Sequence, residues 1–424
     1  MKSALARLAC WLALLVGGDA AAVAPIEGPP AVGDAAHQIL VMLRLPPPHY
    51  RSGANYGGGY ADSAGGAARR RVAEHLAEEQ GLTVLSGWPM PAIGVDCYVL
   101  QVPPGADIGE VVRRVSQDRR AQWAQPMNLY RALESHVAAA AGNSKASLYT
   151  LQPSAKLWKL DEMHKVSTGS GVRIAVIDSA ADVTHPDLLG RIDTERNFVD
   201  AREHVAEAHG TAVAGIIGAR ADRGAGVVGI APQSRLLALR ACWEESAART
   251  LCSSFTLAQA LQFAVADDAQ VINMSLSGPD DPLLARLIDA AIERGATVVG
   301  AVDDAAADGG FPASHRGVLA VSDRSGKTSV LSVPGDDVPA PAPGGRWNFV
   351  SGSSFAAAQM AGAVALVDSV APASAMRQSA AWIRFPASSA DGTAGYVDVC
   401  ATLQRSAPML SCTSPREGTA HVSR

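Results

Sequence analysis

The sequence predicts an α/β protein built on a parallel β-sheet with helices on both faces, preceded by a small α+β domain. Between residues 147 and 412, short continuous apolar runs alternate with helical patterns, which is typical of strands buried on both faces of a parallel sheet. Between residues 37 and 133, strand and helix patterns follow the order β-α-β-β-α-β, as in ferredoxin-like domains.

The composition is that of a large globular chain. Of the 424 residues, 48% are hydrophobic and 18% are charged, so the chain can bury a sizeable core. The formal net charge of −5 is mild and gives no reason to expect a nucleic acid as partner.

The N-terminus has the pattern of an export signal. Lys2 and Arg7 precede an apolar stretch at residues 8–16, and small residues follow at 20–22. Residues 1–22 are therefore predicted to be a signal peptide, and the mature protein is predicted to be secreted or periplasmic, with no membrane contact after cleavage.

Residues 37–133 are predicted to form the small α+β domain. A strand is expected at 39–45, a glycine-rich loop at 53–66, a helix at 67–80, strands at 82–85 and 97–102, and a second helix at 108–119. The low-complexity stretch that follows predicts a linker and processing region at 134–146, and residues 413–424 predict a flexible polar tail.

Residues 147–412 are predicted to form the larger domain. Its buried strands are expected at 172–177, 236–239, 271–274, 297–302 and 318–321.

The cysteines are consistent with an oxidising compartment. Cys242 with Cys252, and Cys400 with Cys412, would each close a short loop, which leaves Cys97 unpaired outside the signal peptide. None of the spacings resembles a zinc site.

Three segments of the larger domain carry side chains suited to nucleophilic catalysis. In IAVIDSA an apolar strand ends at Asp178, in AHGTAVAG a helix begins at His209, and in SGSSFAAAQMAG a glycine turn leads to Ser354 at the start of a helix. A serine hydroxyl needs a base to take its proton, and His209 is predicted to be that base, with Asp178 orienting it. The N–H groups at the helix start around Ser354 would stabilise an oxyanion.

In these segments the chain resembles the subtilisin-like serine peptidases, in which Asp, His and Ser follow one another in this order. The segments VIDS at 176–179, HPDL at 185–188, HGT at 209–211 and GSS at 352–354 carry the resemblance. It implies a subtilisin-like fold and a serine endopeptidase acting on polypeptides. It also implies that the first domain is an inhibitory propeptide, so the protein would be made as a zymogen and have its own propeptide as a partner.

The segment NMSL at 273–276 resembles the family strand that pairs with substrate backbone. Ser275, Leu276, Ser277 and Gly278 are accordingly the expected substrate-binding residues.

One departure from the family touches the oxyanion. Relatives carry an asparagine donor after the strand at 297–302, whereas this chain places Asp304 there, or Asp303 in the other alignment. An ionised carboxylate cannot donate a hydrogen bond, whereas a protonated one can. The sequence therefore predicts a slower or more acid-favoured enzyme, and it leaves open a catalytically weakened fold that binds peptides or acts as a scaffold.

No cofactor is expected to be required. The acidic pairs Asp280-Asp281 and Asp336-Asp337 could hold a structural calcium ion, but neither has a full ligand pattern, so no metal ligand is assigned. We expect the mature chain to be a monomer.

Overall fold

The computed structural model describes residues 32–44, 63–134, 136–139, 147–202, 205–221, 224–246, 249–324, 330–370 and 396–406. The predicted signal peptide and polar tail, and Cys412 of the second predicted disulfide, lie outside these residues. Within them, no helix combines the length and the apolar character needed to cross a bilayer.

The first domain has the predicted order of elements. They are β1 (Gln38–Arg44), α1 (Ser63–Glu79), β2 (Thr83–Met90), β3 (Val95–Gln101), α2 (Ile108–Ser116) and β4 (Ala121–Pro126). The strands form an antiparallel sheet in the order β2-β3-β1-β4. Helix α1 begins earlier than predicted, so residues 63–66 are helical rather than part of the glycine-rich loop.

The predicted linker contains ordered structure. Strand β5 (Leu129–Ala132) ends the first domain, and β6 (His136–Ala139) lies within the segment predicted to be a linker. The backbone of residues 136–139 pairs with a strand more than 200 residues later in the chain, at 348–351, and the role of the segment as linker and processing region stays a prediction.

The larger domain contains the remaining elements. Its strands are β7 (Arg173–Asp178), β8 (Ile192–Asn197), β9 (Arg235–Arg240), β10 (Cys242–Ser246), β11 (Arg249–Ser253), β12 (Val271–Met274), β13 (Leu276–Ser277), β14 (Thr297–Ala301), β15 (Leu319–Ser322), β16 (Leu331–Ser332), β17 (Val338–Ala342) and β18 (Arg346–Ser351). Its helices are α3 (Pro153–Leu157), α4 (Leu160–Met163), α5 (Ala208–Gly218), α6 (Ser254–Ala266), α7 (Pro282–Glu293), α8 (Ser353–Asp368) and α9 (Val399–Ser406).

Seven of these strands form the predicted parallel sheet, in the order β16-β15-β14-β12-β7-β9-β8. Alternate residues of the central strand β7 enter different cores. Ile174 and Val176 pack with α5 and α8, while Ala175 and Ile177 pack with α6 and α7. Burial on both faces explains why consecutive residues of this strand are apolar.

The first domain packs against α6 and α7. Leu40, Met42 and Cys97 on one face of its sheet belong to the same buried core as these two helices. Polar contacts continue the interface, since the Gln125 amide donates to Asp281 Oδ1 at 2.7 Å. Asp281 also caps α7 by accepting two of its N–H groups.

The disulfide predicted between Cys242 and Cys252 is confirmed, and it joins β10 to β11. Cys97 is buried and free.

Candidate active site

Ser354 lies in the first turn of α8, where β18 turns into that helix. The turn requires Gly352, whose φ is 138° and whose missing side chain would overlap the carbonyl oxygen of Leu133. Ser353 secures the turn, because its hydroxyl donates to the Val302 carbonyl oxygen at 2.8 Å. The turn therefore places Ser354 at the positive end of the helix dipole, with its own N–H directed out of the helix.

Asp178 and His209 meet where a strand ends and a helix begins. Asp178 is the last residue of β7, and its Oδ1 lies 2.7 Å from Nδ1 of His209 in the first turn of α5. Both side chains are buried. The approach depends on Gly210, since a Cβ there would lie 2.6 Å from the carbonyl carbon of Ser179.

The hydroxyl of Ser354 is engaged away from His209. It donates to the Ser275 carbonyl oxygen at 2.8 Å and accepts the N–H of Leu133 at 2.9 Å. His209 Nε2 is buried and has no hydrogen-bond partner among the described residues, although its ring packs against Phe355, with ring centroids 5.3 Å apart. The structure therefore brings the three predicted residues to one place and leaves the serine–histidine hydrogen bond unmade.

Several carboxylates act on the His209 imidazole. Burial alone lowers its pKa, but the charge and hydrogen bond of Asp178 outweigh burial and, with the charges of Glu134 and Glu244, raise the pKa of His209 to about 9. A base must be neutral to accept a proton, so this raised pKa moves the range in which the imidazole can act as a base to higher pH.

Residues 129–133 lie extended along a groove that ends at Ser354. Strand β5 pairs antiparallel with β11 on one side and β13 on the other, so Arg131 is opposite both Leu251 and Ser277. At the end of the groove the Leu133 carbonyl oxygen accepts the Ser354 N–H at 3.2 Å. A bound peptide would add a strand to the sheet in the same way.

Of the four residues predicted to bind substrate, three line this groove directly. Leu276 and Ser277 form β13, which pairs with Ala132 and Arg131. Ser275 differs, because its carbonyl oxygen accepts the Ser354 hydroxyl and its own hydroxyl donates to the Ser354 carbonyl oxygen at 2.9 Å.

Gly278 forms the floor of a pocket that holds Tyr130. A Cβ on Gly278 would lie 2.7 Å from Cε1 and 3.0 Å from Cγ of the Tyr130 ring. The ring is buried beside Phe311, and its hydroxyl donates to the Pro279 carbonyl oxygen at 3.0 Å.

The two aspartates considered for the oxyanion differ in their partners. Asp303 Oδ2 accepts Nη2 of Arg131 at 2.8 Å, so this carboxylate faces the groove. The Asp304 carboxylate lies 3.5 Å from Nε of Arg324 and is 28% exposed. A role of Asp304 at the oxyanion stays a prediction.

Two carboxylates beside His209, the buried Glu207 and the half-buried Glu244, were not predicted from the sequence. Glu244 Oε1 accepts the backbone N–H of His209 at 2.8 Å, and Glu207 is held by the guanidinium of Arg240 at 2.8 Å. Burial raises the pKa of Glu244. The only sequence signal was the position of Glu207, two residues before His209, since β10 is far along the chain.

Groups of three or more histidine, cysteine, aspartate or glutamate side chains able to hold a metal ion are absent from the described residues. Asp281, considered for calcium, instead caps α7 and accepts the hydroxyl of Ser254 at 2.5 Å.

A family model and two known proteins each match about half of the chain. The family model described as "Subtilase family" matches residues 169–397, just over half of the chain. The intracellular serine protease of Paenibacillus polymyxa is 34% identical over 230 residues, which cover 49% of this chain and 69% of that protein. The thermophilic serine proteinase of Bacillus sp. (strain AK1) is 35% identical over 216 residues, 47% of this chain and 53% of that protein.

Among solved structures, fervidolysin from Fervidobacterium pennivorans, described as a keratinolytic enzyme related to subtilisin, has a similar fold. The TM-score is 0.64 at 20% identity, over 87% of this chain and 61% of that one. Because the identity is low, this likeness concerns the fold alone.

Proposed function

The chain belongs to the subtilase family of serine proteases, and from this premise we propose that it is an endopeptidase whose catalytic triad is Asp178, His209 and Ser354. The observation that carries the proposal is the convergence of the three side chains at the end of an occupied groove. The Asp178 carboxylate is hydrogen-bonded to Nδ1 of His209. Ser354 lies at the start of a helix, and its N–H donates to the Leu133 carbonyl oxygen.

We propose that the bond between Leu133 and Glu134 is the first substrate. The Leu133 carbonyl oxygen lies on the Ser354 N–H, where a developing oxyanion would be stabilised. The chain is then a zymogen in which residues 129–133, the end of the propeptide at 37–133, fill the groove. Export behind residues 1–22 completes the proposal, which places the mature enzyme in the periplasm or the medium.

The reaction requires one side-chain movement. Rotation of Ser354 about χ1 would take its hydroxyl from the Ser275 carbonyl oxygen towards the unpartnered Nε2 of His209. His209 then takes the hydroxyl proton as Oγ bonds to the Leu133 carbonyl carbon. The bond to the Glu134 nitrogen breaks as His209 returns the proton to that amine, and water hydrolyses the acyl-enzyme.

The test is a serine-reactive phosphonate probe, applied to the full-length chain and to the variants Ser354→Ala and His209→Ala. We expect the wild-type chain to be labelled at Ser354 and the His209→Ala chain to escape labelling. The Ser354→Ala chain should remain uncut at the mass of the full proform, without its signal peptide. No labelling at any pH would favour a peptide-binding or scaffolding protein instead, and maturation of Ser354→Ala in isolation would refute self-processing.

A further inference from the structure

An acidic side chain stands at the rim of the groove, opposite a basic residue of the occupying strand. Asp303 follows β14, and its Oδ2 accepts Nη2 of Arg131 at 2.8 Å. The Asp303 side chain is only 14% exposed, whereas that of Arg131 is 59% exposed. The aspartate thus belongs to the wall of the groove, and the arginine reaches it from the solvent side.

The carboxylate of Asp303 is held in place independently of Arg131. Its other oxygen, Oδ1, accepts the N–H of Ala305 at 3.0 Å, and its backbone N–H donates to the Gly309 carbonyl oxygen at 2.8 Å. One acceptor oxygen therefore remains directed at the groove whatever peptide lies there.

Main-chain pairing fixes which residue of a peptide meets Asp303. Arg131 is opposite Ser277 of β13, and Leu133 has its carbonyl on the Ser354 N–H. Any peptide that pairs in this register presents to Asp303 the side chain of the third residue before the bond that is cut.

We propose that Asp303 is a specificity-determining residue that favours arginine or lysine at the third position before the scissile bond. This inference rests on the proposed endopeptidase function, whose triad it does not involve. An ion pair with one exposed partner contributes modestly, so we expect a preference of about two- to five-fold over a neutral residue of similar length. Salt should weaken it, because the pair lies at the surface.

The experiment uses the enzyme obtained when the full-length chain processes itself. Two peptides, Leu-Tyr-Arg-Ala-Leu-Glu-Ser and Leu-Tyr-Gln-Ala-Leu-Glu-Ser, compete in one tube, and mass spectrometry measures the ratio of their cleavage rates after the second leucine. The ratio is measured for the wild type, for Asp303→Asn and for Asp280→Asn. The asparagine at 303 retains an oxygen for Ala305, and Asp280 is an exposed carboxylate in the loop after β13, so Asp280→Asn is a charge-matched control.

We expect the arginine peptide to be favoured by the wild type and by Asp280→Asn, and the ratio to fall to about one in Asp303→Asn. Both peptides are cleaved by the same preparation, so a smaller fraction of active enzyme slows both reactions equally and leaves the ratio unchanged. If Asp303→Asn cannot be produced, the wild-type ratio should still fall between 20 mM and 500 mM NaCl. Equal cleavage of both peptides by the wild type, or an unchanged ratio in Asp303→Asn, overturns the inference but not the endopeptidase. Cleavage of neither peptide overturns the proposed function.

Discussion

The pocket around Tyr130 gives the sharpest prediction for self-processing. The substitution Gly278→Ala adds one methyl group that would lie 2.7 Å from Cε1 and 3.0 Å from Cγ of the Tyr130 ring. Carbon atoms in contact normally lie about 3.5–4.0 Å apart, so the ring must withdraw by roughly 1 Å. It has little room to do so, because it is 1% exposed, packs beside Phe311 and is tied through its hydroxyl to Pro279.

The size of the effect follows from this crowding. Overpacking a filled site costs about 1–3 kcal/mol, and about 1.4 kcal/mol corresponds to a tenfold change in rate. If the strain displaces Leu133 from Ser354, the first-order rate of self-processing should fall about 5- to 150-fold. The backbone of Gly278 does not have a positive φ, so the alanine itself is tolerated.

The assay is the appearance of the processed fragment from the full-length chain, followed by mass spectrometry. Gly278→Ala is compared with the wild type, with Tyr130→Ala and with the double variant, because removing the ring should abolish the penalty of the added methyl group. Gly66→Ala on α1 is the matched control, since a Cβ there comes no closer than 3.9 Å to Arg69. An equal slowing by Gly278→Ala with and without the Tyr130 ring would refute the reasoning.

Three further predictions concern the histidine, the oxyanion and the disulfide. Glu134→Gln removes a carboxylate that helps to raise the pKa of His209 to about 9. The self-processing rate should therefore begin to rise at a lower pH than in the wild type, and an unchanged pH profile would contradict this. Asp304→Asn supplies a donor and should raise kcat by up to about 10²–10³, the loss seen when subtilisin loses its side-chain donor, and an unchanged kcat and pH profile would exclude this role. Cys242→Ser with Cys252→Ser opens a loop with a sequence separation of 10, so the free energy of unfolding in denaturant should fall by about 3 kcal/mol; an unchanged midpoint would count against it.

The central strands of the fold were predictable because both of their faces are buried, so that most of their residues are apolar. The runs at 172–177, 236–239 and 271–274 are apolar apart from Arg173 and Asn273, and the strands β7, β9 and β12 occupy nearly the same residues. Strand β8 was missed, because Ile192–Asn197 lies at the edge of the sheet, pairs only with β9 and carries three charged residues. The segment IDTERN has neither the apolar run of a strand buried on both faces nor the clean alternation of a half-buried one.

The strands β5 and β6 could not be predicted for a different reason. Neither Leu129–Ala132 nor His136–Ala139 has an alternation that distinguishes it from a loop. Their extended form comes from partners far along the chain, β11 and β13 for the first and β18 for the second. Such pairing depends on the folded groove, which sequence patterns do not contain.

The sequence predicted which residues form the site, but not the contacts that those residues make. Asp178, His209 and Ser354 stand in motifs whose local structure places each at a strand end or helix start. The engagement of the Ser354 hydroxyl by Ser275 and the approach of Glu134 and Glu244 to His209 depend on side chains brought together from separate segments. Asp303 likewise differs from Asp304 in facing the groove, and this depends on Arg131, which comes from a separate segment.

The contacts of the first domain also imply that cleavage after Leu133 does not by itself open the groove to substrates. Cutting the bond after Leu133 removes one covalent link, but it leaves β5 paired with β11 and β13 and leaves Tyr130 in its pocket. It also leaves Leu40, Met42 and Cys97 packed in the core they share with α6 and α7. Strand β6 also stays paired with β18, so cleavage releases Glu134 itself, whose carboxylate can then move away from His209, which would lower the pKa of that imidazole. The cut should therefore prepare the base while the groove stays blocked, and peptide hydrolysis in solution should appear only when residues 37–133 dissociate or are degraded.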